Sequence, residues 1–174
     1  IRTAPVFSGS EIIFGCDDHC VYILDETGSL LDKLEVADKI RTDALVDKNR
    51  LYFGADDHRF YCFNLKKRKL KWRIKTGGKI AAPPVISGKR IFFLGLNNVL
   101  FCLNKKNGHI LWWDIIPSRS FYRLEISGTR IVVSSLSSLL VCFDMESGEK
   151  LGDFDTGQEV KSNPVWLQPY LIYS

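Results

Sequence analysis

Cys16-Asp17-Asp18-His19-Cys20 places two thiols, two carboxylates and an imidazole within five residues. Zinc takes such ligands, and a string like this could form half of a site. No second half, with Cys or His at ligand spacing, follows in the sequence. Ala55-Asp56-Asp57-His58-Arg59 repeats the string without its cysteines. A tight turn between two strands accounts for both copies. A disulfide between Cys16 and Cys20 across the hairpin, formed in an oxidising compartment, and a metal half-site are the alternatives.

Cys62, Cys102 and Cys142 recur at intervals of forty residues. Equivalent positions on stacked sheets lie about 10 Å apart, whereas a disulfide needs Cα atoms within about 7 Å. These three are therefore read as buried structural thiols, small and apolar. With five cysteines in all, at least one is unpaired within the chain. The basic run Lys66-Lys67-Arg68-Lys69, continued by Lys71, Arg73 and Lys75, alternates along a strand and reads as a solvated face. Net charge is only +4 with a pI of 8.8, and the run lacks exposed aromatics for stacking bases, so nucleic acid is not expected as a partner. Gly77-Gly78 reads as a turn, and the serines from Ser134 to Ser138 have no histidine near them in sequence. No catalytic, cofactor-binding or metal-binding residue is assigned, and no cofactor is expected.

The elements that position these residues follow from the repeat. Three columns share one phase: Ile23, Cys62, Cys102 and Cys142; Pro5, Ala44, Pro84, Leu124 and Pro164; Phe14, Phe53, Phe93 and Val133. Within each period the apolar pattern alternates or runs continuously, as in strands, and never follows helical spacing. The third module reads as strands over 81–87, 90–95, 99–104 and 109–116, with turns at Ser87-Gly88, Leu96-Asn97-Asn98 and Asn107-Gly108. Ser8-Gly9, Asp47-Lys48-Asn49 and Ser127-Gly128 mark the first turn elsewhere.

Four short antiparallel strands every ~40 residues define the blade of a β-propeller, with a sandwich as runner-up. One such sheet has two apolar faces and covers them only by stacking on neighbours. The fold class is all-β: a β-propeller with about four to four-and-a-half blades in one segment. The modules run roughly over 1–38, 39–78, 79–118 and 119–158, with a partial one over 159–174. The partial module predicts a segment of a larger ring; the alternative is a small closed ring. No apolar run approaches the roughly 20 residues of a membrane helix.

Arg2, Arg41 and Lys161 are equivalent positions near the start of the innermost strand. At the mouth of a central channel they could attract an acidic protein partner or a small anion. The plainer reading is three solvated strand starts.

The module resembles the pyrroloquinoline-quinone-type (PQQ-like) propeller repeat. That repeat follows Ala-x-Asp-x-x-Thr-Gly-Lys-x-x-Trp from third strand to fourth. Cys102-Leu-Asn104 through Asn107-Gly108-His109 to Trp112 matches in register, and Cys142 through Asp144 and Ser147-Gly148 matches except at the Trp. Cys62 through Asn64 to Trp72 keeps the Trp but has Arg68 for the Gly. Ile23 through Asp25 to Thr27-Gly28 is one residue short and lacks the Trp. The resemblance implies that Trp72 and Trp112 dock neighbouring blades and that Cys62, Cys102 and Cys142 fill an alanine slot. It also implies looser packing in modules one and four.

The resemblance extends to outer-membrane assembly lipoproteins of the BamB type. It implies a non-catalytic scaffold that binds protein partners, in the periplasm or at the outer membrane. The first alternative is a fragment of a quinoprotein dehydrogenase, whose family would bring a quinone, calcium, a vicinal cysteine disulfide and an Asp base. No adjacent Cys pair occurs here. The second alternative is a sensor or adaptor propeller within a multidomain protein.

Overall fold

The computed structural model describes residues 2–80, 82–160, 165–167 and 170–172. It divides into two compact units, Ile1–Pro84 and Val85–Ser174.

The first unit holds two blades. One comprises β1 (Val6–Ser8), β2 (Glu11–Gly15), β3 (Cys20–Leu24) and β4 (Leu30–Glu35), hydrogen-bonded in that order. The other comprises β5 (Leu45–Asp47), β6 (Arg50–Ala55), β7 (Arg59–Asn64) and β8 (Lys69–Lys75). The second unit repeats this with β9 (Val85–Ser87), β10 (Arg90–Leu94), β11 (Val99–Asn104) and β12 (Ile110–Ile115), then β13 (Glu125–Ser127), β14 (Arg130–Ser134), β15 (Leu139–Asp144) and β16 (Lys150–Asp155). A further pair, β17 (Val165–Leu167) and β18 (Tyr170–Ile172), follows. All pairings are antiparallel.

The middle strands are buried on both faces, so β6, β7, β10 and β11 read as continuous apolar runs rather than alternating ones. Between the blades of the first unit, Ile13, Val21 and Ile23 pack with Leu51, Phe53, Ala55, Tyr61 and Phe63. Val132 and Leu140 pack with Val160 in the second unit.

Every blade bulges at the same column. The register shifts between Ile23 and Leu24, Cys62 and Phe63, Cys102 and Leu103, and Cys142 and Phe143. The extra residue on the outer strand is Leu31, Lys71, Leu111 or Leu151, and such an insertion increases the local twist. The first strand of the third module is shorter than its sequence suggests, starting at Val85 rather than at 81. Pro83 and Pro84 lack the N–H that a ladder requires.

The turns follow one plan. After each third strand, an Asp or Asn carboxamide or carboxylate oxygen accepts from turn amides. Asp25 takes Thr27 and Ser29 N–H, Asn64 takes Lys67, Asn104 takes Lys106, and Asp144 takes Glu146 and Ser147. These bonds hold the Asp25 and Asp144 carboxyls below the usual carboxylate range, with the Thr27 hydroxyl the largest cause at Asp25 and the Ser147 amide at Asp144.

Candidate functional site

The Asp-Asp-His strings are tight turns. Cys16 N–H donates to Cys20 C=O at 3.0 Å, and His19 and His58 adopt φ of 70° and 61°. The second Asp of each accepts from a tyrosine hydroxyl four residues on: Tyr22 to Asp18 at 2.6 Å, and Tyr61 to Asp57. All five cysteines are free thiols, Cys16 half-buried and Cys20 buried. Among the described residues no group of three His, Cys, Asp or Glu side chains could hold a metal.

The first Asp of each turn builds an ion-pair chain. Asp17 meets Arg2 at 3.3 Å and Arg41 at 3.0 Å; Arg41 reaches on to Asp56 at 3.5 Å, and Lys79 meets Asp56 at 3.1 Å. Asp56 is buried, whereas the three cations are exposed. Arg41 holds the Asp17 carboxyl below its ordinary range. The structure thus brings Arg2 and Arg41 together, but on a shared carboxylate. Lys161 lies outside the described residues.

Cys62 and Cys102 are fully buried and Cys142 is half-buried. Burial pushes the Cys62 thiol up to about 11 and the Cys102 thiol up to about 12. Trp112 docks on the next blade: its indole N–H donates to Met145 C=O at 3.2 Å, and its ring covers Gly148. Phe92 packs on it within its own blade. Trp72 packs on Tyr52 and Phe60, and its indole N–H has no hydrogen-bond partner among the described residues. Where the first blade lacks the Trp, Asp32 stands in its place. Arg68 of the second blade, half-buried at φ 49°, reaches Asp32 at 4.0 Å and pairs with Glu11. The position that looked like a defect in the repeat is a charged substitute for Trp-on-Gly docking.

Sequence reasoning passed over one feature, the outer strand of the third blade. Ile110, Leu111, Trp113 and Ile115 are all exposed, Trp113 at 58% and Ile115 at 64%. The signal was a departure within a column. Register with the third strand aligns Lys33, Arg73, Trp113 and Asp153, pairing with Tyr22, Tyr61, Phe101 and Val141. Three are charged and one is tryptophan.

Stacked four-stranded antiparallel blades with this strand order define the chain as a β-propeller, without helices among the described residues. The family model described as outer membrane protein assembly factor BamB matches residues 17–115. The chain belongs to this PQQ-like, BamB family. No curated protein matches its sequence. Among solved structures, BamB from Moraxella catarrhalis superposes with a TM-score of 0.84 at 17% identity, covering 97% of this chain and 53% of that one. The computationally designed Ika8 protein gives 0.85 at 17%, covering 98% and 54%. A chain of the Mitotic Checkpoint Complex gives 0.79 at 12%, covering 93% and 53%. The chain therefore spans about half the length of each of these structures.

Proposed function

We propose that this propeller is a non-catalytic scaffold that binds a protein partner in the periplasm or at the outer membrane of a bacterium, as part of outer-membrane protein assembly. Membership of the BamB family supports that setting. The single observation that carries the protein-binding reading is the apolar outer strand β12. On β4, β8 and β16 the corresponding stretch carries charges: Lys33 and Glu35, Arg73 and Lys75, Asp153 and Asp155. Charges guard exposed edges against pairing with other chains. β12 presents Trp113 and Ile115 instead. Exposed Trp with aliphatic neighbours is the composition of a binding anchor. Asp114 takes the Ile115 N–H at 2.7 Å, so the side chains supply the contact rather than that amide. The occupant is an extended segment of a partner protein with apolar side chains at alternate positions. The cations Arg2, Arg41 and Lys161 are a second candidate contact for an acidic partner or a small anion.

A photo-crosslinking phenylalanine analogue at position 113, in protein directed to a Gram-negative envelope, tests this. A crosslink to a protein of the outer-membrane assembly machinery is expected, lost when Ile115 is changed to Lys. No crosslink, or crosslinks only between copies of this chain, overturns it.

A further inference from the structure

We propose that the cleft between the outer strands of the first two blades binds a monoanionic carboxylate carried on a small branched apolar body. The cleft has a volume of about 280 Å³, close to the lower end of small-molecule sites at roughly 300 Å³. Leu34 and Val36 form its apolar lining on the first blade, and Leu70 on the second.

Its polar groups are not equivalent. Arg59 lines the cleft but is held by Asp57 at 3.1 Å. The Tyr61 hydroxyl donates to the same carboxylate, which leaves its oxygen as an acceptor. Arg73 is exposed and has no ion-pair partner among the described residues. Its planar guanidinium is the donor left to receive a carboxylate, in the bidentate geometry that this side chain favours. Glu35 also lines the cleft without an ion pair. A second negative charge on the ligand would be repelled there, so a monoanion fits and a phosphate dianion does not.

The repeat makes this set specific. Arg59, Tyr61 and Arg73 correspond to Val99, Phe101 and Trp113 in the third blade and to Leu139, Val141 and Asp153 in the fourth. The first blade keeps the tyrosine and a cation, but there Lys33 lies over the Tyr22 ring at 5.3 Å and is used within the blade. Only the second blade combines two arginines and a tyrosine at these three positions, around one cavity.

The shared chemistry is that of a free branched-chain acid and of a polypeptide ending in an apolar residue. Two-dimensional NMR of the chain, titrated separately with 4-methylpentanoate, 4-methylpentanamide, inorganic phosphate and a short peptide with a free C-terminal leucine, tests the site. Saturable shifts confined to Leu34, Val36, Tyr61 and Leu70 are expected with the carboxylates alone. Arg73→Gln should weaken them about tenfold, the loss of a charge-assisted hydrogen bond, with the rest of the spectrum unchanged. Tighter binding of the peptide assigns the site to a polypeptide terminus, and equal or tighter binding of 4-methylpentanoate to a free acid. The proposal is overturned by saturable binding of the amide or of phosphate, by no saturable shift with either carboxylate, or by equal binding in Arg73→Gln.

Discussion

Gly148 and Trp112 are fitted to one another across two blades: a Cβ on Gly148 would lie 2.6 Å from Trp112 Cδ2. Gly148 also sits at φ 78°, in the left-handed region. Two separate constraints therefore act on one residue, and a matched control separates them. Gly128 has φ 58° with nothing within 4 Å of its Cβ position.

Gly128→Ala should cost about 1 kcal/mol for the backbone alone. Gly148→Ala should cost that plus about 1–3 kcal/mol for overpacking. In a Trp112→Ala background the difference between the two should vanish. Urea midpoints of the four variants check this, and an undiminished difference would remove the indole from the explanation.

Trp112→Ala should destabilise by about 3 kcal/mol as a buried ring face is lost. Trp112→Phe should cost about 1 kcal/mol, the hydrogen bond to Met145 C=O. Trp72→Phe should cost less than Trp112→Phe, because the Trp72 N–H has no partner among the described residues. Chemical denaturation of the three variants measures the order.

Arg68→Ala should destabilise by about 1 kcal/mol at low salt, less at high salt, since its partners Glu11 and Asp32 are partly exposed. Arg68→Gly should cost less than Arg68→Ala, because glycine adopts φ 49° freely. A salt series of melts tests both statements. Equal losses for Ala and Gly would show that the backbone conformation contributes nothing.

Thiol labelling should be staged. Cys16 and Cys142 are half-buried and should react in the native protein. Cys62 and Cys102 should react only on unfolding, because burial excludes reagent and pushes both thiols up to about 11 or 12. Alkylation in denaturant without reductant, followed by mass measurement, should add five groups, one per cysteine. Three additions would show one disulfide, and peptide mapping of the unlabelled pair would test whether it joins Cys16 to Cys20.

Acid should destabilise the fold through its turns. The Asp25 and Asp144 carboxyls sit below their ordinary range, held there by turn amides and hydroxyls. A carboxyl that binds its proton less tightly when folded contributes stability above its unfolded pKa of about 3.9. That contribution is lost as pH falls through the lower folded value. Denaturation midpoints should be level near neutrality and fall below about pH 4, and Asp144→Asn should flatten the fall.

The blade is legible along the chain, one module at a time. A forty-residue period, strand-length apolar runs and Asx turns are local properties, and local properties survive reading one module against another. That is why Ser87-Gly88, Asn107-Gly108 and Ser127-Gly128 could be placed in turns from the chain alone. The Asp-Asp-His strings were legible for the same reason, since the copy at Asp56 lacked the cysteines that made the copy at Asp17 look like a metal site. Relations between modules are not legible along the chain, because they arise when blades pack. Arg68 is a flaw in its own repeat and becomes intelligible when Glu11 and Asp32 of the preceding blade are beside it. Arg2 and Arg41 read as free cations along the chain, and packing places both on Asp17. The cleft that joins Leu34 to Arg73 exists in neither module alone. Strand patterns are set by each residue's own neighbours in sequence, whereas a charge partner or a cavity wall is supplied by whichever blade stacks alongside.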